Sequence, residues 1–348
     1  MADARAIRAR PRVAVTGPWL LPGWDDGLSA AGCEVICGPS IDEAPSTPLS
    51  EDELNRLCSG ADAILVSTRE QITSAALDAA PNLKIVAKAT IGVERIDLDA
   101  ATERDVLVVN SPAPENIIGL AEATVGIVAA LAKRLIEKES RVRGGGWRDA
   151  STDGLVLAGR TLGIIGLGRV GGAVARRLQG WDMRLIGFDP YITEVQFAAL
   201  GVVHVGWQQL FRDADVVTIH VPLTAETSGF VGRDELATMR SGAFLVNTSR
   251  GRVLDEAAVV AALETEHLGG VALDVFAEEP LRADSPLRGI PRERLLLTPH
   301  SIGSSHASRG TGTRMAVEAI LAALDGRVPE NVVNPESISG WLSKWVTA

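Results

Sequence analysis

Short runs of β-branched and aliphatic residues recur along the chain, separated by longer segments in which apolar positions return every three or four residues. Arg12–Val15, Glu34–Cys37, Ala63–Val66 and residues 84–87 and 106–109 read as five buried strands, with helical stretches such as Glu51–Cys58 and 74–80 between them. A second series follows at Thr161–Ile165, 184–187, Val216–Ile219, 243–246, 270–273 and Leu295–Leu297. Strands alternating with helical patterns imply parallel sheets joined by crossover helices. One long helix is predicted over 114–141, apolar along one face and ending at Gly144-Gly145-Gly146, and another over 305–324. Neither an internal repeat nor a low-complexity segment interrupts the pattern. The expected fold is therefore α/β: two doubly wound parallel sheets linked by long helices.

Composition narrows this picture. A chain of 348 residues provides about two domains at ~100–200 residues each, and 46% hydrophobic residues exclude a disordered polymer. Apolar stretches such as 125–132 fall short of the ~18 residues expected of a membrane span. The opening MADARAIRARPR reads as a short basic tail without a signal-peptide core. With 44 acidic against 34 basic residues the net charge is −10, which argues against nucleic acid as a partner. Cys33, Cys37 and Cys58 are odd in number and have no histidine near them, which fits a reducing cytoplasm and neither a disulfide framework nor a metal site. The expectation is a soluble cytoplasmic protein with no membrane or nucleic-acid partner.

The segment from Thr161 to Gly171 carries GxGxxG directly after an apolar strand and at the start of a helical pattern over 169–180. Gly166 permits the tight turn, Gly168 lets the backbone approach a pyrophosphate, and Gly171 allows close helix–strand packing, with Arg169 and Val170 in the first helical turn. The helix N-terminus offers amides and a positive dipole end to phosphate. Asp189 closes the next strand, 18 residues beyond Gly171. A carboxylate there accepts from both ribose hydroxyls and repels a 2′-phosphate, favouring NAD over NADP.

Three later strands end in polar groups that packing does not require: Asn247-Thr248-Ser249-Arg250-Gly251, Asp274 to Glu279, and Thr298-Pro299-His300. Ligands of open parallel sheets sit at the carboxyl ends of strands, so these loops are expected to converge near the nicotinamide. Arg250 suits a carboxylate and carbonyl clamp, His300 a proton acceptor and donor, and Glu279 a partner for the second imidazole nitrogen. Reversible oxidation of a hydroxy acid moves one proton and one hydride, so no metal is required. Of the other histidines, His204 and His267 read as surface or element-edge positions, His220 as structural or lining the cofactor groove, and His306 as the start of the last helix.

These residues resemble the D-isomer-specific 2-hydroxyacid dehydrogenases, most of all their D-3-phosphoglycerate dehydrogenase branch. The similarity covers roughly 60–335 and includes GLGRVG, the segment from His220 to Gly229, NTSRG, LDVFAEEP, TPHSIG and the closing Asn331-Val332-Val333-Asn334. The resemblance implies catalytic Arg250, Glu279 and His300, with Asp274 on the nicotinamide amide. It also implies that Thr248, Ser249 and Arg250, and the stretch His220, Val221, Pro222 to Thr227, line the cofactor groove that Ser301 to Gly303 helps close. It implies a flavodoxin-like substrate domain, 1–112 with 304–348, around a Rossmann NAD domain, 113–303; the long helices are then hinge crossings. Family members are usually homodimers.

Thr90-Ile91-Gly92-Val93 matches the family loop whose amides bind the substrate carboxylate, but Glu94-Arg95 follows where Asp-Asn is usual, Lys88 stands for a frequent Arg, and Ala123 for a frequent His. Arg69 lies near the place where phosphoglycerate enzymes carry an Arg. The expected substrates are Arg250- and His300-bound small D-2-hydroxy or 2-oxo acids. Ile91, Gly92 and Val93 would hold the carboxylate, and Lys88, Arg69 and Arg95 a second anionic group, with D-3-phosphoglycerate first. Hydroxypyruvate or glyoxylate reduction and a phosphonate-pathway oxidation are rivals of the same fold. Formate dehydrogenase fits less well, because its pattern has Gln where Glu279 stands. From another class, an NAD(H)-sensing, corepressor-like binding protein shares these motifs.

Overall fold

The computed structural model describes residues 10–18, 21–41, 43 and 47–346; the basic N-terminal tail lies outside them. Its contacts divide the chain into two units, Met1–Glu115 with Ser305–Ala348, and Asn116–Ser304.

The first unit is built on β1 (Arg12–Val15), β2 (Glu34–Cys37), β3 (Ala63–Val66), β4 (Ile85–Lys88) and β5 (Leu107–Val109). Their order is β2-β1-β3-β4-β5, all parallel, as in flavodoxin-like sheets. Every position of β3 and β4 is buried, because helices cover both faces; hence unbroken apolar runs rather than alternation. Val13, Leu65, Ile85 and Leu107 face Val317, Ile320 and Trp341, while Ala14, Ile64, Val66 and Val86 face Leu54, Leu77 and Ala101. The strand expected over 84–87 runs one residue later, so Lys88 pairs with Val66 inside the sheet instead of following it. At the outer edge, Asn334 acts as a side-chain staple. Its Oδ1 accepts from Val108 N at 2.8 Å, and its Nδ2 donates to Val106 O at 2.9 Å and Thr102 Oγ1 at 3.1 Å. That pairing occupies an edge which would otherwise present bare backbone.

The second unit holds β6 (Thr161–Ile165), β7 (Arg184–Phe188), β8 (Val203–His204), β9 (Val216–Ile219), β10 (Ala243–Asn247), β11 (Leu268–Leu273) and β12 (Leu295–Leu297). All are parallel, in the order β12-β11-β10-β9-β6-β7-β8. Strand order reverses beside β6, the place where a Rossmann sheet binds its ligand. The short β8 left no trace in the apolar pattern because both its residues are exposed; the His204 ring stacks on Phe197 at 4.4 Å.

The helix expected over 114–141 is two helices, Pro114–Ala132 and Leu135–Arg143. Leu155 N donates to Ala132 O at 2.6 Å, and Lys133 Nζ donates to Leu155 O at 3.0 Å. This distant segment takes the Ala132 carbonyl that would continue the helix, and Arg134 turns left-handed at φ 51°. Pro114–Ala132 is long and apolar enough to cross a membrane by length and composition alone. In this unit Ile127, Val128 and Leu131 pack against Leu162, Ile164 and Val246 of the sheet.

Candidate active site

The turn after β6 shows why its glycines are glycines. Gly166 adopts φ +83°, and a Cβ there would meet His220 O at 2.5 Å; a Cβ on Gly171 would lie 2.0 Å from Gly166 O. Around Gly168, by contrast, there is open space within 4 Å. The helix Arg169–Arg177 therefore begins with accessible backbone and no side-chain cap, a cradle shaped for a pyrophosphate. Asp189 ties this turn down: Oδ2 accepts from Leu167 N at 2.8 Å and Oδ1 from Tyr191 N at 2.9 Å. A carboxylate has about four lone-pair sites, so each oxygen retains one for a ribose hydroxyl. The turn, the helix start and this carboxylate fit a dinucleotide.

Further along, His220 N donates to Ile165 O at 2.8 Å, and Thr227 Oγ1 donates to Pro222 O at 2.7 Å, which fixes Val221 and Pro222 beside the glycine turn. The His220 ring is buried with neither nitrogen hydrogen-bonded, and burial pushes it down to about 4. It is neutral at ordinary pH. Thr248 is buried, its Oγ1 3.2 Å from Thr124 Oγ1. Gly303 is packed against Leu120, where a Cβ would meet Leu120 Cβ at 3.0 Å; packing on the Pro114–Ala132 helix accounts for that glycine.

Arg250, Glu279 and His300 follow β10, β11 and β12, three adjacent strands. His300 Nδ1 and Glu279 Oε2 are 2.8 Å apart, and Glu279 Oε1 accepts from Phe276 N at 3.0 Å. The imidazole side chain is 47% exposed, and no described residue engages Nε2. His300 sits at φ 50°, a left-handed conformation held from both sides. Its N–H donates to Asp274 O, while Asp274 Oδ1 accepts from Thr298 Oγ1 at 2.6 Å and Ser301 N at 3.1 Å. Burial raises the Asp274 carboxyl above its usual range despite these donors. Arg250 is half-buried, with Nη1 on Ser249 O at 2.7 Å. Its loop is pressed on that of Glu279, since a Cβ on Gly251 would fall 1.8 Å from Phe276 C.

Two supporting residues escaped the sequence reading. The fully buried Asn247 receives Ser249 N and Oγ on Oδ1 and donates Nδ2 to Arg250 O at 2.9 Å. Glu256 Oε1 accepts from Ala277 N at 2.6 Å. Asn247 opens the NTSRG segment and Glu256 lies beyond it, and neither carries a signal separable from an ordinary polar residue.

In the first unit, the carbonyls of Thr90, Ile91 and Val93 accept from Ser111 N, Asn110 Nδ2 and Ile96 N. Among the described residues none accepts from the amides of Ile91, Gly92 or Val93, which leaves a row of donors suited to a carboxylate. Arg69 and Lys88 are placed differently from expectation. Arg69 is 6% exposed, its Nε on Glu70 Oε1 at 2.5 Å and its Nη2 on Pro39 O and Thr16 O. Lys88 is 3% exposed, with Nζ donating to Ser67 O, and burial lowers its pKa to about 8. Both cations are spent on the interior. Among the described residues no group of three His, Cys, Asp or Glu is arranged to hold a metal ion.

Residues 125–301 match the family described as D-isomer specific 2-hydroxyacid dehydrogenase, NAD binding domain. The chain is 38% identical over 305 residues to a glyoxylate reductase of Korarchaeum cryptofilum, covering 85% of this chain and 89% of that one. It is 36% identical over 294 residues to a D-3-phosphoglycerate dehydrogenase of Methanocaldococcus jannaschii, covering 84% of this chain but only 55% of that longer protein. Among solved structures, an NAD-dependent formate dehydrogenase from Staphylococcus aureus in complex with NAD superposes with a TM-score of 0.78 at 27% identity, over 90% of this chain and 96% of that one.

Proposed function

The chain belongs to the D-isomer-specific 2-hydroxyacid dehydrogenase family and is an NAD-dependent oxidoreductase, and from that premise we propose that it reduces short 2-oxo acids of glyoxylate or hydroxypyruvate size. The observation that carries the choice is the interior commitment of Arg69 and Lys88, which removes two of the cations a second anionic group would need. A reductase relative covered over 89% of its length points the same way.

When bound, NAD supplies the hydride carrier. Arg250 holds the substrate carboxylate and 2-oxygen through its planar fork of donors. His300 gives a proton from Nε2 to the 2-oxygen in reduction and takes it back in oxidation. Glu279, on Nδ1, orients the ring and stabilises its charged form. Asp274 meets the nicotinamide amide, and the glycine turn with Asp189 holds the adenosine half. Within the first unit, the amides of Ile91, Gly92 and Val93 are donors suited to a carboxylate.

The test is NADH consumption with glyoxylate, hydroxypyruvate and 3-phosphohydroxypyruvate. The highest kcat/KM is expected for one of the first two, with turnover lost by ~10²–10⁴-fold in His300→Gln. Preference for the phosphorylated acid sinks it. That outcome is the second reading, D-3-phosphoglycerate, which is favoured by Arg95: half-buried in the loop after β4, with Nη1 3.5 Å from Arg69 O.

We also propose a homodimer. No residue of the Leu135–Arg143 helix is buried, and Leu135, Val142, Trp147 and Val156 are all exposed, an apolar display that a second copy would cover. Free Cys33, Cys37 and Cys58 suit a reducing cytoplasm.

A further inference from the structure

Selection between NAD and NADP is usually assigned to one carboxylate, here Asp189. The structure brings a second to the same end of the sheet. In the strand order, β9 and β7 flank β6, whose end carries the glycine turn. Tyr191 stands two residues past Asp189 in the loop after β7, and Glu226 belongs to the loop after β9. The two loops meet there: Tyr191 Oη donates to Glu226 Oε2 at 2.9 Å. Tyr191 is 82% exposed, so it is not a core residue, and the contact its hydroxyl makes is with that carboxylate. The Glu226 loop is itself held by reciprocal bonds, Thr224 N to Thr227 Oγ1 at 2.8 Å and Thr227 N to Thr224 Oγ1 at 3.2 Å. Both carboxylates are close enough to Tyr191 to hold its hydroxyl above the usual tyrosine range, Glu226 more strongly than Asp189.

We propose that Glu226, steadied by Tyr191, is a second specificity-determining carboxylate that acts with Asp189 to exclude the 2′-phosphate of NADP. Asp189 already spends one lone pair of each oxygen on Leu167 N and Tyr191 N, donors that partly offset its charge. Glu226 accepts only the phenol among the described contacts and is exposed, so its charge is directed to solvent and to any anion arriving there. A 2′-phosphate carries a charge of about −2 and would meet both. The exposed Arg169 stands at the start of the helix that serves the pyrophosphate. This inference depends on NAD binding and not on which acid is turned over.

The experiment is fluorescence titration of the full chain with NADH and NADPH at low and high salt, read as the ratio of the two dissociation constants. Glu226→Gln is expected to lower the NADPH-to-NADH ratio by about tenfold at low salt and by less at high salt, as a charge effect between exposed groups requires. Asp189→Asn alone should leave a residual preference for NADH, and the double variant should abolish it. Tyr191→Phe keeps the charge but frees the side chain, so its ratio should fall between wild type and Glu226→Gln. Equal changes in both affinities for Glu226→Gln overturn the proposal, as does loss of all preference in Asp189→Asn alone. Unchanged thermal midpoints verify that these exposed substitutions leave the fold intact.

Discussion

Lys88 gives the most quantitative test of how the first sheet is built. It closes β4, almost wholly buried, with Nζ on the carbonyl of Ser67. Burial first and the Arg95 cation second lower its pKa to about 8; Glu94 and Glu70 act in the opposite sense without compensating. In the unfolded chain the same amine titrates near 10.5. Between pH 8 and 10.5 the unfolded chain therefore holds a proton that the folded chain has released, and stability rises with pH by about 1.4 kcal/mol per pH unit. Below pH 8 both states are protonated and the folded state carries the whole penalty, about 3 kcal/mol over that interval. Lys88→Met removes the penalty but strips Ser67 O of its donor, at a cost of about 1 kcal/mol. The variant should be about 2 kcal/mol more stable than wild type at pH 7. The gap should close as pH rises from 8 and reverse by about 10.5. Urea unfolding followed by tryptophan fluorescence at pH 7, 8, 9 and 10 measures it. A gap that stays constant across that range, or a variant less stable at pH 7, refutes the buried-charge reasoning.

Three further outcomes follow from the same kind of accounting. His220, held down to about 4 by burial, stays neutral while the unfolded chain takes up a proton near 6.5. Stability should fall as pH drops from 6.5 to 4, and His220→Asn should flatten that slope in urea titrations. Gly251→Ala places a Cβ 1.8 Å from the Phe276 backbone; separation of the two loops should lower the thermal midpoint and kcat together. Asn334→Ala leaves Val108 N and Val106 O unpaired in the interior and should cost ~2–4 kcal/mol in urea unfolding.

What the sequence revealed, and what it hid, divides along one physical line. The two-sided burial of the parallel strands writes itself into continuous apolar runs, and the glycine turn is legible because no side chain fits at Gly166 or Gly171. Arg134 is different: its left-handed break depends on Leu155, a partner remote in sequence and of no special type. The same blindness explains Arg69. A guanidinium near a strand end looks available for an anion until the fold supplies Glu70, the carbonyls of Thr16 and Pro39, and the gap left by Gly17, where a Cβ would stand 3.1 Å from Arg69 Nη2. Charge can be read from letters, but desolvation and partnership cannot. Residues that would touch a ligand are unusual types in unusual places, so Arg250, Glu279 and His300 could be singled out. Two of the groups that hold their loops, Asn247 beneath Arg250 and Glu256 beneath Ala277, are ordinary polar residues, whereas Asp274, expected on the nicotinamide amide, also accepts from the His300 N–H. The last of these bonds matters most for the chemistry. His300 keeps a left-handed backbone that costs ~1 kcal/mol or more in isolation, and it does so because Asp274 accepts from its N–H and from the turn around it. The imidazole is thereby aimed by Asp274, its carbonyl on the His300 N–H and its carboxylate on the flanking turn, as well as by Glu279.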